Sequence, residues 1–281
     1  MTSFRRALPV STTIRRLPGV LATPTAEKTT RRKVPELTGT PVWWLIGPNG
    51  AGKTLVARWL LERAMAGGRD VKAAALDVNT RTLAEFFGDG IAQPDAADPA
   101  SVAAWMRSYI GYVAELRLPA VLDMGGGDQA LAHLIASTPK LIEIMTDQGQ
   151  APVAAYFLTP RDKDLDALAT FEAAGFQPKN TVLIFNEALA AEPEMVFAPI
   201  AEHPTVKAAV ARGAVLLRLP RLFKQDVAIR MESSLLTFRE AGAGRTDAGE
   251  AVPLDSFEQA DVRFALDRLA AVFEPLAGWL P

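Results

Sequence analysis

Pro41-Val42-Trp43-Trp44-Leu45-Ile46-Gly47-Pro48-Asn49-Gly50-Ala51-Gly52-Lys53-Thr54 decides how this 281-residue chain is read. Pro41 to Ile46 is a short unbroken apolar run, the pattern of a parallel strand buried on both faces. Gly47 to Thr54 satisfies the spacing G-x-x-x-x-G-K-[ST]. Glycines let the backbone curl so that successive N–H groups converge on phosphate oxygens. Lys53 adds a cation toward the β and γ phosphates, and the Thr54 hydroxyl suits Mg²⁺. Downstream, Leu55, Val56, Trp59, Leu60 and Ala64 recur at helical spacing until Gly67-Gly68. A helix starting here aims its positive end at the same anion. The expected phosphate-binding set is therefore Gly47, Asn49, Gly50, Ala51, Gly52, Lys53 and Thr54.

Outward from this stretch, strand and helix patterns alternate. Val71 to Leu76 reads as strand, and Asp98-Pro99 opens a helix running to about Leu116. Pro119 to Leu122 is a strand ending at Asp123, followed by the loop Gly125-Gly126-Gly127. Helical segments occupy about Asp128 to Asp147, interrupted near Pro139. Strands at Val153–Leu158, Thr181–Phe185 and Val215–Leu219 are separated by helices at Lys163–Ala174 and Thr205–Ala211. One helix is expected over Lys224–Glu240, then a glycine-rich loop over Gly242–Glu250. Asp255 with Glu258 caps a last helix whose Val262, Leu266, Leu269 and Phe273 share a face. This alternation predicts an α/β fold of three layers, a mostly parallel central sheet flanked by helices.

Composition narrows the chemistry. The absence of cysteine excludes disulfides, thiolate metal sites and cysteine nucleophiles, and fits a reducing, cytoplasmic setting. His133 and His203 alone cannot build a multi-histidine metal centre, and His133 reads as a partly buried structural residue. No apolar run reaches the roughly 18 residues of a membrane span. Charge is uneven. Residues 1–38 carry eight basic side chains against Glu27 and Glu36, a net of +6, whereas the remainder nets −8. The expected organisation is a flexible basic arm over 1–38 and one domain over 39–281. Such an arm suits a salt-sensitive contact with DNA or a nucleoprotein; an organelle transit peptide has the same composition.

Two strand-end carboxylates complete the candidate site. Asp123 lies at the carboxyl end of an apolar strand, where open α/β sheets bind ligands, and is the candidate Mg²⁺ holder with Thr54. Asp77 ends the strand after the P-loop helix and is placed to orient water or metal. Asn186 and Pro220 end two later strands and are candidates for lining a base pocket. Trp43 and Trp44 read as sheet-packing residues.

The order of these features resembles the ParA/MinD-like branch of the SIMIBI class of P-loop ATPases. Asp77-Val78-Asn79-Thr80-Arg81-Thr82-Leu83 and Leu219-Pro220-Arg221-Leu222-Phe223-Lys224 are similar to the TraL-type ATPases of plasmid mobilisation and conjugative transfer. The resemblance, over about residues 42–275, implies ATP and Mg²⁺ held by Lys53 and Thr54. It further implies Asp77 positioning the hydrolytic water, Asp123 sensing the γ-phosphate, and Asn186 and Pro220 beside adenine. It also implies a nucleotide-dependent homodimer. The family's P-loop usually carries a second lysine near its start that reaches the partner's phosphate. Here that slot is Pro48, which weighs against activation across a dimer. An ABC-type ATPase is disfavoured, since there is no Leu-Ser-Gly-Gly-Gln signature and Met124 follows Asp123. The sequence thus leaves an ATPase switch, a small-molecule or nucleotide kinase, and a nucleotide-binding adaptor with negligible hydrolysis as its three readings.

Overall fold

The computed structural model describes residues 34–77, 82–125 and 129–281. Most of the basic arm, 1–33, lies outside the described residues, as do 78–81 and 126–128. Along the chain come β1 (Thr40–Ile46), α1 (Lys53–Ala66), β2 (Lys72–Ala75), α2 (Thr82–Phe87) and β3 (Ile91–Ala92). Next are α3 (Pro99–Leu116), β4 (Ala120–Asp123), α4 (Gln129–Ser137), α5 (Leu141–Asp147), β5 (Gln150–Leu158), α6 (Leu165–Ala173) and β6 (Asn180–Asn186). The chain ends with α7 (Pro193–Glu202), α8 (Pro204–Arg212), β7 (Val215–Leu219), α9 (Gln225–Ser233), α10 (Phe238–Ala243) and α11 (Ser256–Phe273). The strands form one sheet in the order β3-β2-β4-β1-β5-β6-β7, and every pair is parallel. Helices cover both faces, so the fold is the three-layer P-loop NTPase fold. Among the described residues no helix is long and apolar enough to cross a membrane.

The period-2 pleat of β1 divides the core. Trp43 faces one layer, where it packs against Phe273 and donates to the Trp279 carbonyl at 2.8 Å. Trp44 faces the other, edge-on to Phe176. Both are fully buried. At ~150–250 Å² apiece, each contributes roughly 4–6 kcal/mol of burial before its ordering entropy is subtracted. Val34 and Leu37 already pack on this core, and Pro35 accepts from the Trp279 indole at 2.9 Å. Asp98 caps α3 by accepting from Ser101 N at 2.9 Å, with Pro99 in the first turn.

Four local expectations are corrected. The helix expected over Lys224–Glu240 is two, α9 and α10, because Leu235 turns left-handed (φ 48°) and Thr237 starts a new capping box with Glu240. That second helix takes in Gly242 and shortens the expected loop. Two further helices, α2 and α7, and the two-residue β3 were not read from the sequence; Pro199 inside α7 disguised it. His133 is exposed on α4 rather than partly buried, and His203 instead caps α8, its Nδ1 accepting from Thr205 N at 3.3 Å.

Candidate functional site

The loop between β1 and α1 folds as its glycines require. Gly47 (φ +147°) passes so close to β5 that a Cβ there would stand 2.6 Å from the Phe157 carbonyl. Gly52 (φ +95°) makes the turn into α1, and its Cβ would meet Asn186 Nδ2 at 3.0 Å. Among the described residues no side chain caps the N-terminus of α1, and no acidic residue occupies its first turn. The positive end of the helix dipole is thus left for an external anion. Lys53 is almost fully buried, its Nζ donating to the carbonyls of Gly47 at 2.6 Å and Pro48 at 2.9 Å. The ammonium therefore braces the loop that it is expected to serve.

Parallel pairing brings the carboxylates to the same edge. Leu45 of β1 pairs with Asp123 of β4, and Ala75 of β2 pairs with Asp123 from the other side. The register sets Asp123 beside the start of α1, where its Oδ2 accepts from the Thr54 hydroxyl at 2.7 Å. Its Oδ1 is sealed from solvent with no hydrogen-bond partner among the described residues. Burial pushes the Asp123 carboxyl up to about 6, opposed by the Thr54 hydroxyl and the Lys53 charge and reinforced by Asp77. Asp77 follows β2 and stands beside Gly125, whose Cβ would lie 3.6 Å from that of Asp77.

A cleft of about 500 Å³ opens over these groups. Asn49, Gly50, Gly52, Lys53, Thr54, Asp77, Asp123 and Asn186 all line it, so the structure brings together most of the residues singled out from the sequence. Gly47 and Ala51 are buried in the loop behind it. Asn186 ties the β6 end to the P-loop: Nδ2 donates to Ala51 O at 2.8 Å and Oδ1 accepts from Ala188 N at 3.1 Å. Pro220 is not in the main cleft; it lines an adjoining hollow of about 150 Å³ with Gly52, Leu55, Asn186 and Arg221. Arg221 donates to Ala188 O at 2.8 Å, and Lys224 pairs with Asp261 at 2.9 Å. Sequence reasoning missed Glu232 and Leu189, which also line the cleft. The Leu189 contact follows from its place three residues after Asn186, but Glu232 carried no signal while α9 and α10 read as one helix.

The donor set fits the expected groups. A hydroxyl and a buried carboxylate with an unused oxygen are hard ligands of the kind Mg²⁺ prefers, and the curled amides with Lys53 suit phosphates. Behind the cleft, Arg58 of α1 is buried with its guanidinium 3.4 Å from the centre of the Phe86 ring on α2 and 4.4 Å from that of Phe238 on α10. Its Nη2 donates to Leu236 O at 2.8 Å. The P-loop helix is thereby braced to the helix that follows Asp77 and to the α9–α10 turn.

No family profile matches the chain. A shikimate kinase of Saccharopolyspora erythraea is 30% identical over 134 residues, 46% of this chain and 71% of that enzyme. The chain belongs with it to the P-loop NTPase family. Among solved structures, this P-loop NTPase is similar to a MinD of Pyrococcus horikoshii complexed with Mg-ADP (TM-score 0.46, 16% identity, 83% of this chain and 98% of that one). It is also similar to MinD of Aquifex aeolicus (TM-score 0.42, 13% identity, 83% and 98%) and FtsY of Thermotoga maritima (TM-score 0.41, 16% identity, 85% and 72%).

Proposed function

We propose that this P-loop NTPase is an ATP-dependent switch of the ParA/MinD-like, SIMIBI class, a cytoplasmic ATPase of the TraL type acting in plasmid mobilisation, conjugative transfer or partition. The observation that carries the reading is the Thr54–Asp123 contact, 2.7 Å long, at the mouth of a cleft that Lys53 and Asp77 also line. Thr54 and Asp123 would hold Mg²⁺, and the ion would supply positive charge to offset that of the phosphates. The loop amides and the α1 N-terminus bind the triphosphate, and Lys53 supplies the cation. Asp77 orients the attacking water, while Asn186 and the Pro220 hollow flank the base. Asp77 and Asp123 would sense the γ-phosphate, and hydrolysis would release that contact. The output is association: a nucleotide-dependent homodimer, and contact with DNA or a nucleoprotein through the basic arm.

A second reading, phosphoryl transfer to a small acceptor, is favoured by the shikimate kinase relative. Steady-state ATP hydrolysis with and without DNA, alongside a screen for phosphorylated small molecules, separates the two. Hydrolysis raised by DNA, with a change of mass in light scattering between ADP and ATP, is the outcome expected of the switch. A phosphorylated acceptor would replace the switch by the kinase, and binding without turnover would leave an adaptor.

A further inference from the structure

A second cleft, of about 690 Å³, lies along the C-terminal half of α1, whereas the P-loop precedes its first residue. Its walls are Trp59 and Met65 of α1, Phe86 and Phe87 of α2, Phe238 of α10 and Leu266 of α11. An apolar, aromatic hollow of this size, with a few charged groups at its edge, matches a small-molecule site rather than a flat protein interface. The charged groups are unequal. Glu62 is committed to the fold: its carboxylate accepts from the backbone N–H groups of Phe238 at 2.9 Å and Arg239 at 3.1 Å, capping α10. Asp247 is committed to Arg239, to which it is hydrogen-bonded. Arg63 has no such commitment. Its guanidinium lines the cleft half-buried, and its Nη1 is sealed from solvent with nothing to donate to among the described residues. Burial and the neighbouring charge of Arg69 both hold this guanidinium below its ordinary range.

An unpaired guanidinium nitrogen is costly, and a carboxylate meeting the cleft-lining side of Arg63 is the partner whose geometry its fork fits. Asp247 is neutralised by Arg239, which leaves Arg63 as the charge at the edge without a carboxylate partner among the described residues, enough to balance a single negative charge beside Glu62 but not a multiply charged anion such as a phosphate. We propose that this cleft is a second binding site, for a small apolar molecule bearing one carboxylate, with Arg63 pairing the carboxylate and the aromatic walls taking the apolar body. The site is separate from the nucleotide cleft and stands or falls independently of the ATPase reading.

Two fluorescent acids, cis-parinaric acid for a chain-like body and 1-pyrenebutyric acid for an aromatic one, test the class in the full chain, each beside its uncharged methyl ester. At least one acid should bind saturably, with its ester bound at least about tenfold more weakly. Arg63→Gln should weaken that acid by about the same factor, leave the ester unchanged and leave the melting temperature and Mg-nucleotide affinity intact. Leu266→Trp, which fills the hollow, should remove acid and ester together. The proposal is overturned if neither acid binds saturably, if acid and ester bind alike, if Arg63→Gln leaves the acid's affinity unchanged, or if Leu266→Trp spares it.

Discussion

Replacing Gly52 by alanine tests the P-loop geometry most directly, because two separable costs meet there. The residue sits at φ +95°, where an L side chain is strained by about 1–3 kcal/mol. Its new Cβ would also stand 3.0 Å from Asn186 Nδ2, the atom that donates to Ala51 O. Pushing that amide aside leaves a buried carbonyl unpaired, a further ~1 kcal/mol. Gly52→Ala alone should therefore lose roughly 2–4 kcal/mol of unfolding free energy, and Asn186→Ala roughly 1–2 kcal/mol. In the double variant the amide is gone and only the backbone strain of position 52 remains. The two losses should then fall short of additive by about 1 kcal/mol, well above the scatter of a double-mutant cycle. Urea denaturation of the four proteins measures all the terms, and titration with a fluorescent ATP analogue reports whether the cradle goes with them. A Gly52→Ala protein as stable as the parent, or a cycle additive to within ~0.3 kcal/mol, would refute the contact geometry assigned to this turn.

Lys53→Ala removes the cation and the brace to Gly47 O and Pro48 O; losing a charge-assisted contact of about 1.5–3 kcal/mol should weaken an ATP analogue by roughly tenfold to hundredfold while sparing AMP. Equal affinity of parent and variant for the triphosphate would count against the site. Removing residues 1–33 takes all eight basic side chains of the arm but keeps Val34 and Leu37 on the core, so nucleotide binding should persist while the salt slope of DNA binding flattens by about 0.9 per lost phosphate contact. An unaltered slope would move the DNA contact elsewhere. Glu62 titrates above its ordinary value because burial outweighs the two backbone N–H donors, so the folded state binds its proton more tightly than the unfolded chain does. Its contribution therefore falls as pH rises from the ordinary carboxylate value through the raised one. The stability of the parent relative to Glu62→Gln, from urea melts between about pH 4 and 7, should decline with pH, and a rising difference would contradict the assigned shift.

How much of this was legible follows from how local each signal is. β1 and α1 carry their own evidence: an apolar run, a glycine loop and a helical stripe all fall within Thr40–Ala66, and the structure reproduces them within a residue or two. Asp123 was legible for the same reason, since a strand-end carboxylate needs only its own strand to be recognised. Its distance to Thr54 was not, because that depends on β4 lying next to β1, a pairing between residues far apart in the chain. The break between α9 and α10 was readable and was missed. Thr237-Phe238-Arg239-Glu240 is a capping-box pattern, and it outweighs the helical period that runs through it because Leu236 N turns back to Met231 O and closes the preceding helix.

That single boundary controls more than a helix count. It places Leu236 O where Arg58 can donate to it and Phe238 beneath the same guanidinium, and it aims the Phe238 and Arg239 amides at Glu62. It also leaves Glu232 at the end of α9, lining the cleft over the P-loop. One continuous helix through residues 224–240 would have no turn at Ser234–Thr237 to present that carbonyl, and the Phe238 and Arg239 amides would be spent on their own i−4 carbonyls. Arg58 would then be a buried cation without its acceptor, and Glu62 a buried carboxylate without its donors. The cost of two such uncompensated charges, several kcal/mol together, exceeds the few tenths that uninterrupted helix propensity offers per residue. Tertiary charge compensation therefore reinforces the boundary that the Thr237–Glu240 capping box marks locally, through two charged residues on α1 more than 170 residues upstream.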